Sequence, residues 1–375
     1  MSRFAPYLSI VCALLLAVLI STFSSGTTPL SGPSTATTAI SSSLSVLPGV
    51  TLPIVKPPPS RPEAPATGQQ AVPELPASRQ TSVVHPTTTS PLIPASLPAT
   101  SPREDSATAL RLALVNIICY APANSVLHSI SGSGVIVDKK GIILTNAHVA
   151  QYFLLANQGV SCSIRTGGPA VDKYKASLMY ISPEWLRANA SVLTETSPSG
   201  TGEYDFAFLA VTSGTTPSEL PRSFPYVPLV AEPSPIGTPV IIASYAAQSL
   251  GFNQIQSDLF PTVVLDSVRD VFTFASSTVD AFALSGSAAA QEGSSGGGVV
   301  DSQGNLIGIL TTSTVSGNLS TRTLHAITAT YLRTEYANET GQALDLLFAQ
   351  PPTTAALSFA SQIPALESIL TAHLP

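Results

Sequence analysis

The hydrophobic pattern of the chain changes near residue 106. From there on, apolar residues form short runs separated by Gly, Pro, Ser and Asn, which is typical of β-strands joined by turns. A first set of six runs comprises Leu114–Tyr120, Gly134–Asp138, Ile142–Asn146, Cys162–Thr166, Tyr174–Ile181 and Asp205–Val211. After a proline-rich stretch, a second set comprises Pro239–Tyr245, Pro261–Val268, Val271–Ser276, Gly298–Ser302, Asn305–Thr312 and Arg322–Thr328. Two such sets predict an all-β fold of two six-stranded antiparallel β-barrels. Helical patterns occur only at Ser106–Leu112, at Ala147–Leu155 and in a C-terminal helix within Ala329–Ala349.

The N-terminal region has a different character. Ala5–Phe23 is uncharged and mostly apolar, Arg3 precedes it, and no basic residue follows before Lys56, so the positive-inside bias places the remainder outside the cytoplasm. A run of about 19 residues is marginal for spanning a bilayer, which needs about 20. Residues 1–25 are therefore expected to be a signal peptide or an uncleaved signal anchor. The protein is predicted to be exported to the cell envelope, membrane-anchored and facing outward, or secreted.

Composition divides the rest of the chain. Residues 26–105 are rich in Pro, Ser and Thr and poor in large apolar residues, which predicts a disordered stalk. Residues 106–349 form the predicted folded domain, and residues 350–375 a tail or short helix. The net charge of -6 without a basic block gives no indication of nucleic-acid binding.

Three separated residues could together make a serine nucleophilic. A serine needs a base to remove its proton, and the base needs a third group to hold it. His148 follows a predicted strand in TNAHVA, Asp205 begins the apolar strand DFAFLAV, and Ser295 lies in the glycine-rich turn EGSSGGG, whose backbone amides could converge on one point. Taken singly, each is more often a structural residue, a cap or a loop. Their joint occurrence in strand context predicts a catalytic triad.

The segments around these residues resemble those of the chymotrypsin-fold serine proteases, most closely the HtrA (Deg) branch. The resemblance is carried by SGSGVIVDKKGIILTNAHVA, DFAFLAV and EGSSGGGVVDSQGNLIGIL. It implies that His148 is the general base, Asp205 its orienting partner and Ser295 the nucleophile. It further implies an oxyanion hole at Gly293, Ser294 and Ser295, and polypeptide substrates. No cofactor and no metal site are expected, and the oligomeric state is left open.

Two departures from the wider family affect regulation. Secreted digestive members carry an aspartate directly before the nucleophile, which pairs with a new N-terminus after zymogen cleavage. This chain has Ser294 there, so activation by that ion pair is not expected. HtrA-type proteins usually append a PDZ domain, and too few residues follow Ala349 to form one.

The resemblance also suggests a substrate pocket. Ala289 would lie at its base, and its wall would be formed by Leu310, Thr311, Thr312 and Ser313. An alanine at the base provides no counter-charge, so small aliphatic side chains are the expected substrates. His325 could instead approach the base and favour an acidic residue, although the nearby Glu292 argues against this.

The two cysteines of the folded region, Cys119 and Cys162, lie on the first and fourth predicted strands. The resembling fold makes these strands neighbours, and an exported protein is in a compartment where disulfides form. The prediction is a Cys119–Cys162 disulfide, and the alternative is two buried thiols.

Two other functions remain open from the sequence. Gly293, Ser295 and Gly297 also satisfy the G-x-S-x-G pattern of α/β-hydrolases, but that fold places its acid and histidine after the serine and alternates strands with long helices. An inactive protease fold used as a binding or surface scaffold is a second alternative to an exported serine endopeptidase.

Overall fold

The computed structural model describes residues 101–195, 200–216, 219–274, 278–313 and 317–374. The predicted signal segment and nearly all of the predicted stalk lie outside these ranges. Within these ranges, no helix combines the length and apolar character that crossing a membrane requires.

The first half of the domain is a closed antiparallel barrel with the strand order β1-β2-β3-β6-β5-β4. Its strands are β1 (Leu114–Tyr120), β2 (Ile130–Asp138), β3 (Ile142–Thr145), β4 (Ser161–Thr166), β5 (Val171–Ile181) and β6 (Ala207–Gly214). Closure buries β1 and β3 on both faces, which explains their uninterrupted apolar runs. The six strands predicted for this barrel are all present.

The second half is a seven-stranded antiparallel sheet with the order β8-β7-β11-β12-β13-β10-β9. Its strands are β7 (Pro239–Ser244), β8 (Thr262–Ser267), β9 (Asp270–Phe272), β10 (Ala281–Leu284), β11 (Gly298–Val300), β12 (Leu306–Ser313) and β13 (Leu324–Thr328). The two-barrel fold class is thus confirmed, with the correction that the second half is a curled sheet of seven strands and not a closed six-stranded barrel. The additional strand is β10, which pairs with β13 and β9.

Most of the helices lie in the first half or after the last strand. They are α1 (Pro102–Ala113), α2 (Ala147–Ala150), α3 (Pro183–Asn189), α4 (Phe252–Ser257), α5 (Ala329–Thr340), α6 (Leu344–Ala349), α7 (Pro352–Ala360) and α8 (Ile363–Thr371). Short 3₁₀ helices occupy Gln151–Gln158, Ala190–Thr194 and Leu319–Thr321. The single C-terminal helix predicted within Ala329–Ala349 is therefore two helices, α5 and α6. Residues 350–375, predicted as a tail or short helix, contain α7 and α8, which bury Phe359, Leu366 and Leu370.

Helix α1 begins earlier than the predicted helix at Ser106. Ser101 caps it, because its hydroxyl accepts the N–H of Glu104 while the Glu104 carboxylate accepts the N–H of Ser101. The helix contacts β2 of the barrel and β7 and β11 of the sheet. Leu110 is fully buried there, so α1 packs against both halves of the domain.

Two further links stabilise the barrel and its contact with the sheet. The structure contains the Cys119–Cys162 disulfide, across directly paired positions of β1 and β4. Arg165 on β4 is only 3% exposed, and its guanidinium donates to the carbonyl oxygens of Ile255 (2.8 Å) and Gln256 (2.6 Å) in α4. A buried guanidinium satisfied by carbonyls holds α4 against the barrel.

Candidate active site

The pairing of β3 with β6 brings the predicted base and its partner together. The two strands are antiparallel, and Thr145 at the end of β3 pairs with Ala207 at the start of β6. His148 follows β3 and Asp205 precedes β6, so both lie at the same end of the barrel. Nδ1 of His148 is 2.7 Å from Oδ2 of Asp205.

The Asp205 carboxylate is buried and accepts several hydrogen bonds. Its Oδ1 accepts the backbone N–H of His148 (2.9 Å), and its Oδ2 accepts the hydroxyl of Thr311 on β12 (2.8 Å) as well as Nδ1 of the imidazole. With the carboxylate as acceptor, the neutral imidazole carries its proton on Nδ1 and its lone pair on Nε2. That is the tautomer a general base requires.

The backbone around Asp205 is held in an uncommon conformation. Tyr204 has a positive φ of 55°, and its N–H donates to the hydroxyl of Tyr331 (3.0 Å). Burial is the main cause that raises the pKa of Tyr331, so this hydroxyl stays protonated over the physiological range. The side-chain amide of Asn146 also donates to the Asp205 carbonyl oxygen (2.8 Å). These contacts hold the backbone before and after the Asp205 side chain.

The turn that carries Ser295 packs against the ends of β2 and β3. Ser133 N–H donates to the Ser295 carbonyl oxygen (2.8 Å), and the Thr145 hydroxyl donates to the Ser133 carbonyl oxygen (2.7 Å). A Cβ at Gly296, where φ is 82°, would overlap that same carbonyl oxygen. Glycine at 296 therefore allows the turn to approach Ser133 on β2 and Thr145 at the end of β3, three residues before His148.

The backbone N–H groups of Glu292, Gly293 and Ser295 have no acceptor among the described residues, and those of Gly293 and Ser295 flank Ser294. The Glu292 carbonyl oxygen is held by the N–H of Ala247 (2.8 Å) and the Ser294 carbonyl oxygen by the N–H of Gly297 (2.9 Å). Because the C=O and N–H of a trans peptide point in opposite directions, the free N–H groups of Gly293 and Ser295 point away from these two bonds. Such a pair of donors can stabilise an oxyanion.

Ser294 has a different role from the one expected in the oxyanion hole. Its N–H donates to the Gln291 carbonyl oxygen (3.2 Å), so that donor is already used. Its side chain is buried and lies 3.1 Å from the hydroxyl of Ser244 on β7. Ser294 thus anchors the turn to the sheet.

Ser133 was not singled out from the sequence, and it organises this turn. Its fully buried hydroxyl donates to the Gly293 carbonyl oxygen (2.8 Å) and accepts the N–H of Tyr245 (2.8 Å). Together with its N–H bond to Ser295, Ser133 holds the carbonyls on both sides of Ser294. The sequence signal for these contacts is Ser133 within the segment SGSG, residues 131–134.

Ser295 itself is half-buried, and its hydroxyl makes no hydrogen bond with any residue in the described ranges. The imidazole of His148 retains 28% of its side-chain exposure. No hydrogen bond joins the two groups in this structure, so the contact between nucleophile and base stays a prediction. Hydrogen bonds of catalytic groups often form only when substrate is bound.

The predicted pocket residues lie in the second half of the domain. Ala289 and Leu310 are buried in its apolar cluster, and Thr311 contacts Asp205 as described. The backbones of Thr312 and Ser313 pair with His325 and Leu324 of β13. Their roles in substrate binding stay predictions.

His325, considered as a pocket residue, is half-buried on β13. Its ring centroid lies 5.5 Å from that of Phe272 in an edge-on contact. Burial lowers the pKa of His325, which favours the neutral imidazole. A neutral ring packed on an aromatic side chain is a poor partner for an acidic substrate residue.

Comparisons with known proteins found a matching family model and similar solved structures. Residues 132–309 match the trypsin-like peptidase domain family. Among solved structures, the chain is similar to the active form of the Rv3671c protease from M. tuberculosis, with 19% identity, 69% of this chain and 95% of that chain covered, and a TM-score of 0.41. It is also similar to Deg5, with 18% identity, 63% and 93% coverage, and a TM-score of 0.41. No curated protein matches the chain in sequence.

Proposed function

We propose that the protein is a serine endopeptidase that hydrolyses polypeptides through an acyl-enzyme intermediate, since residues 132–309 match the trypsin-like peptidase domain family. The observation that supports this most directly is the pair of free N–H groups, at Gly293 and Ser295, on a turn packed beside a hydrogen-bonded His148–Asp205 pair.

The proposed acylation step assigns a role to each of these groups. Nε2 of His148 takes the proton from the Ser295 hydroxyl as Oγ attacks the carbonyl carbon of the scissile bond. The oxyanion that forms accepts the N–H groups of Gly293 and Ser295, and Asp205 stabilises the imidazolium. Each oxyanion donor is typically worth about 3 to 4 kcal/mol in the transition state.

The acyl-enzyme then forms, and water hydrolyses it. The imidazolium first donates its proton to the leaving amine, the C–N bond breaks, and an ester joins the acyl group to Ser295. His148 then removes a proton from a water molecule, which attacks the ester carbonyl. Collapse of the second tetrahedral intermediate releases the carboxylate product and returns the proton to Ser295.

Active-site labelling tests the proposal. A fluorophosphonate probe should label the full-length protein, and Ser295→Ala should abolish both labelling and peptide hydrolysis. Ser302→Ala is the matched control, because Ser302 follows β11 and its contact with Ser106 uses only the backbone carbonyl. If folded wild-type protein is neither labelled nor active, the endopeptidase proposal is wrong and the inactive-scaffold alternative is favoured.

We further propose that the domain works outside the cytoplasm, delivered by the N-terminal segment that ends near residue 25. The apolar run Ala5–Phe23 and the Cys119–Cys162 disulfide both support this location. Alkaline phosphatase, active only after export, can be fused to the C-terminus of the full chain. The fusion should be active and lose activity when residues 1–25 are deleted. Equal activity with and without those residues would contradict the proposal.

A further inference from the structure

Arg322 lies next to the turn that carries the nucleophile. Its Nη1 donates to the carbonyl oxygen of Ala290 (2.7 Å) and to Oε1 of Gln248 (2.6 Å). Ala290 follows the predicted pocket base directly. Gln248 follows Ala247, whose N–H holds the peptide that precedes Gly293. The guanidinium therefore contacts the residue after the predicted pocket base and the residue after Ala247, which supports the Glu292–Gly293 peptide.

The loop that carries Arg322 is held in place by a close backbone contact. A Cβ at Gly286 would overlap the carbonyl oxygens of Leu319 and Arg322, so the two chain segments touch at this point. Nε and Nη2 of Arg322 also donate to the carbonyl oxygen of Gly317 (3.3 and 3.2 Å). The half-buried side chain thus has a fixed direction toward Ala290.

The charge of Arg322 has no carboxylate partner within the described ranges. All of its hydrogen bonds end on neutral oxygens, whereas Arg165, Arg187, Arg269 and Arg333 each form an ion pair. The exposed carboxylate of Glu292 forms no ion pair with it either. A guanidinium has five N–H donors, and Arg322 uses four of them, which leaves one N–H of Nη2 and the whole charge available to an anion.

We propose that Arg322 is the specificity-determining residue of the substrate pocket and selects peptides with an aspartate or glutamate directly before the scissile bond. This inference rests on the proposed endopeptidase function. The alanine at 289 led to the expectation of small aliphatic substrate side chains. This inference replaces that expectation, because the guanidinium of Arg322, on a neighbouring loop, supplies the counter-charge that the alanine lacks. A carboxylate in the pocket would accept the remaining Nη2 donor, and its desolvation would be offset by the guanidinium charge.

Fluorogenic tetrapeptides that differ only in the residue before the scissile bond test this inference with full-length protein. Wild type should cleave after Asp or Glu at least about tenfold more efficiently, in kcat/KM, than after Ala or Lys. Arg322→Gln should lower the acidic-to-alanine ratio of kcat/KM by about 10- to 100-fold. Arg322→Lys should retain most of the preference, because it keeps the charge. Arg187→Gln, which removes an exposed arginine on α3, should leave the ratio unchanged.

Fluorophosphonate labelling of each variant separates the possible failures. If wild type is labelled but cleaves after Ala or Lys as well as after Asp or Glu, the role of Arg322 is wrong while the endopeptidase proposal stands. An unchanged ratio in labelled Arg322→Gln would likewise overturn the role of Arg322 alone. If wild type is not labelled at all, the endopeptidase proposal fails and this inference fails with it.

Discussion

The hydroxyl of Ser133 donates a 2.8 Å hydrogen bond to the carbonyl oxygen of Gly293, which joins a barrel strand to the turn of the proposed oxyanion hole. This bond orients the peptide between Gly293 and Ser294. Ser133→Ala leaves that carbonyl and the Tyr245 N–H without partners, so we expect kcat to fall about tenfold with little change in KM. Steady-state kinetics on a peptide substrate provide the measurement.

Ser131→Ala is the matched control for this variant. Ser131 lies on the same strand, and its hydroxyl accepts the side-chain amide of Asn116 (2.9 Å) instead of contacting the turn. Both variants lose a hydrogen bond, and only one should lose turnover. An equal loss of kcat in the two would show that strand stability, not the Gly293 peptide, is what Ser133 provides.

Thr311 donates its hydroxyl to the Asp205 carboxylate, and this contact can be removed with little change of shape. Thr311→Val deletes a hydrogen bond to a charged acceptor, a loss of about 1.5 to 3 kcal/mol. We expect kcat/KM to fall about tenfold or more, because the carboxylate is less firmly positioned against His148. A variant with wild-type kinetics would contradict a positioning role for Thr311.

Asp205→Asn tests the tautomer argument. An amide can donate to Nδ1 and thereby place the imidazole proton on Nε2, where a general base must have its lone pair. We expect kcat to fall by about 10⁴ while KM changes little. Circular dichroism should show a folded protein, and a smaller loss than about tenfold would remove Asp205 from the mechanism.

Glu339 on α5 should make stability depend on pH. Its carboxylate contacts the hydroxyls of Tyr180 and Ser182, and burial raises its pKa from 4.5 to about 7. Between these values the folded state binds more protons than the unfolded state, so stability falls as pH rises from about 4.5 to 7. Glu339→Gln should flatten the curve of Tm against pH in this interval. Parallel curves for the two proteins would exclude this effect.

The Cys119–Cys162 disulfide should contribute substantially to stability, because it closes a loop with a sequence separation of 43 residues. The loop-entropy relation gives about 4 kcal/mol for such a loop. Urea unfolding of oxidised and reduced protein should differ by a similar amount. The double variant Cys119→Ala, Cys162→Ala should be insensitive to reductant. Equal stability of the oxidised and reduced wild type would show that the bridge is not formed in solution.

The first barrel could be predicted closely from the sequence, while the second sheet could not. Strands buried on both faces, such as Ile142–Thr145, leave strong apolar runs. The strand Ala281–Leu284 was missed because four residues in a stretch rich in Ala and Ser give no clear period. Residues 350–375, expected to form a tail or short helix, contain two helices. Both are short and contain prolines, and they pack through tertiary contacts, α7 against β5 and β6 and α8 against α3 and two 3₁₀ helices.

The site was predictable only where the chain carries a motif. The positions of His148, Asp205 and Ser295 follow local patterns that recur in one family. Ser133, Arg322 and the contact of Thr311 with Asp205 depend on pairings between segments far apart in the chain, which no local pattern encodes. The orientation of the free N–H groups of Gly293 and Ser295 likewise depends on the hydrogen bonds made by Ala247 and Gly297.

The pairing of β3 with β6 has a consequence for control of the enzyme. His148 and Asp205 lie at the same end of two paired strands of the barrel, whereas Ser295 belongs to the opposite half of the domain. A displacement of one half against the other would change the separation between the attacking oxygen and the base, together with the Thr311–Asp205 and Ser133–Gly293 hydrogen bonds. Activity could therefore be switched off, and restored, without any loss of secondary structure.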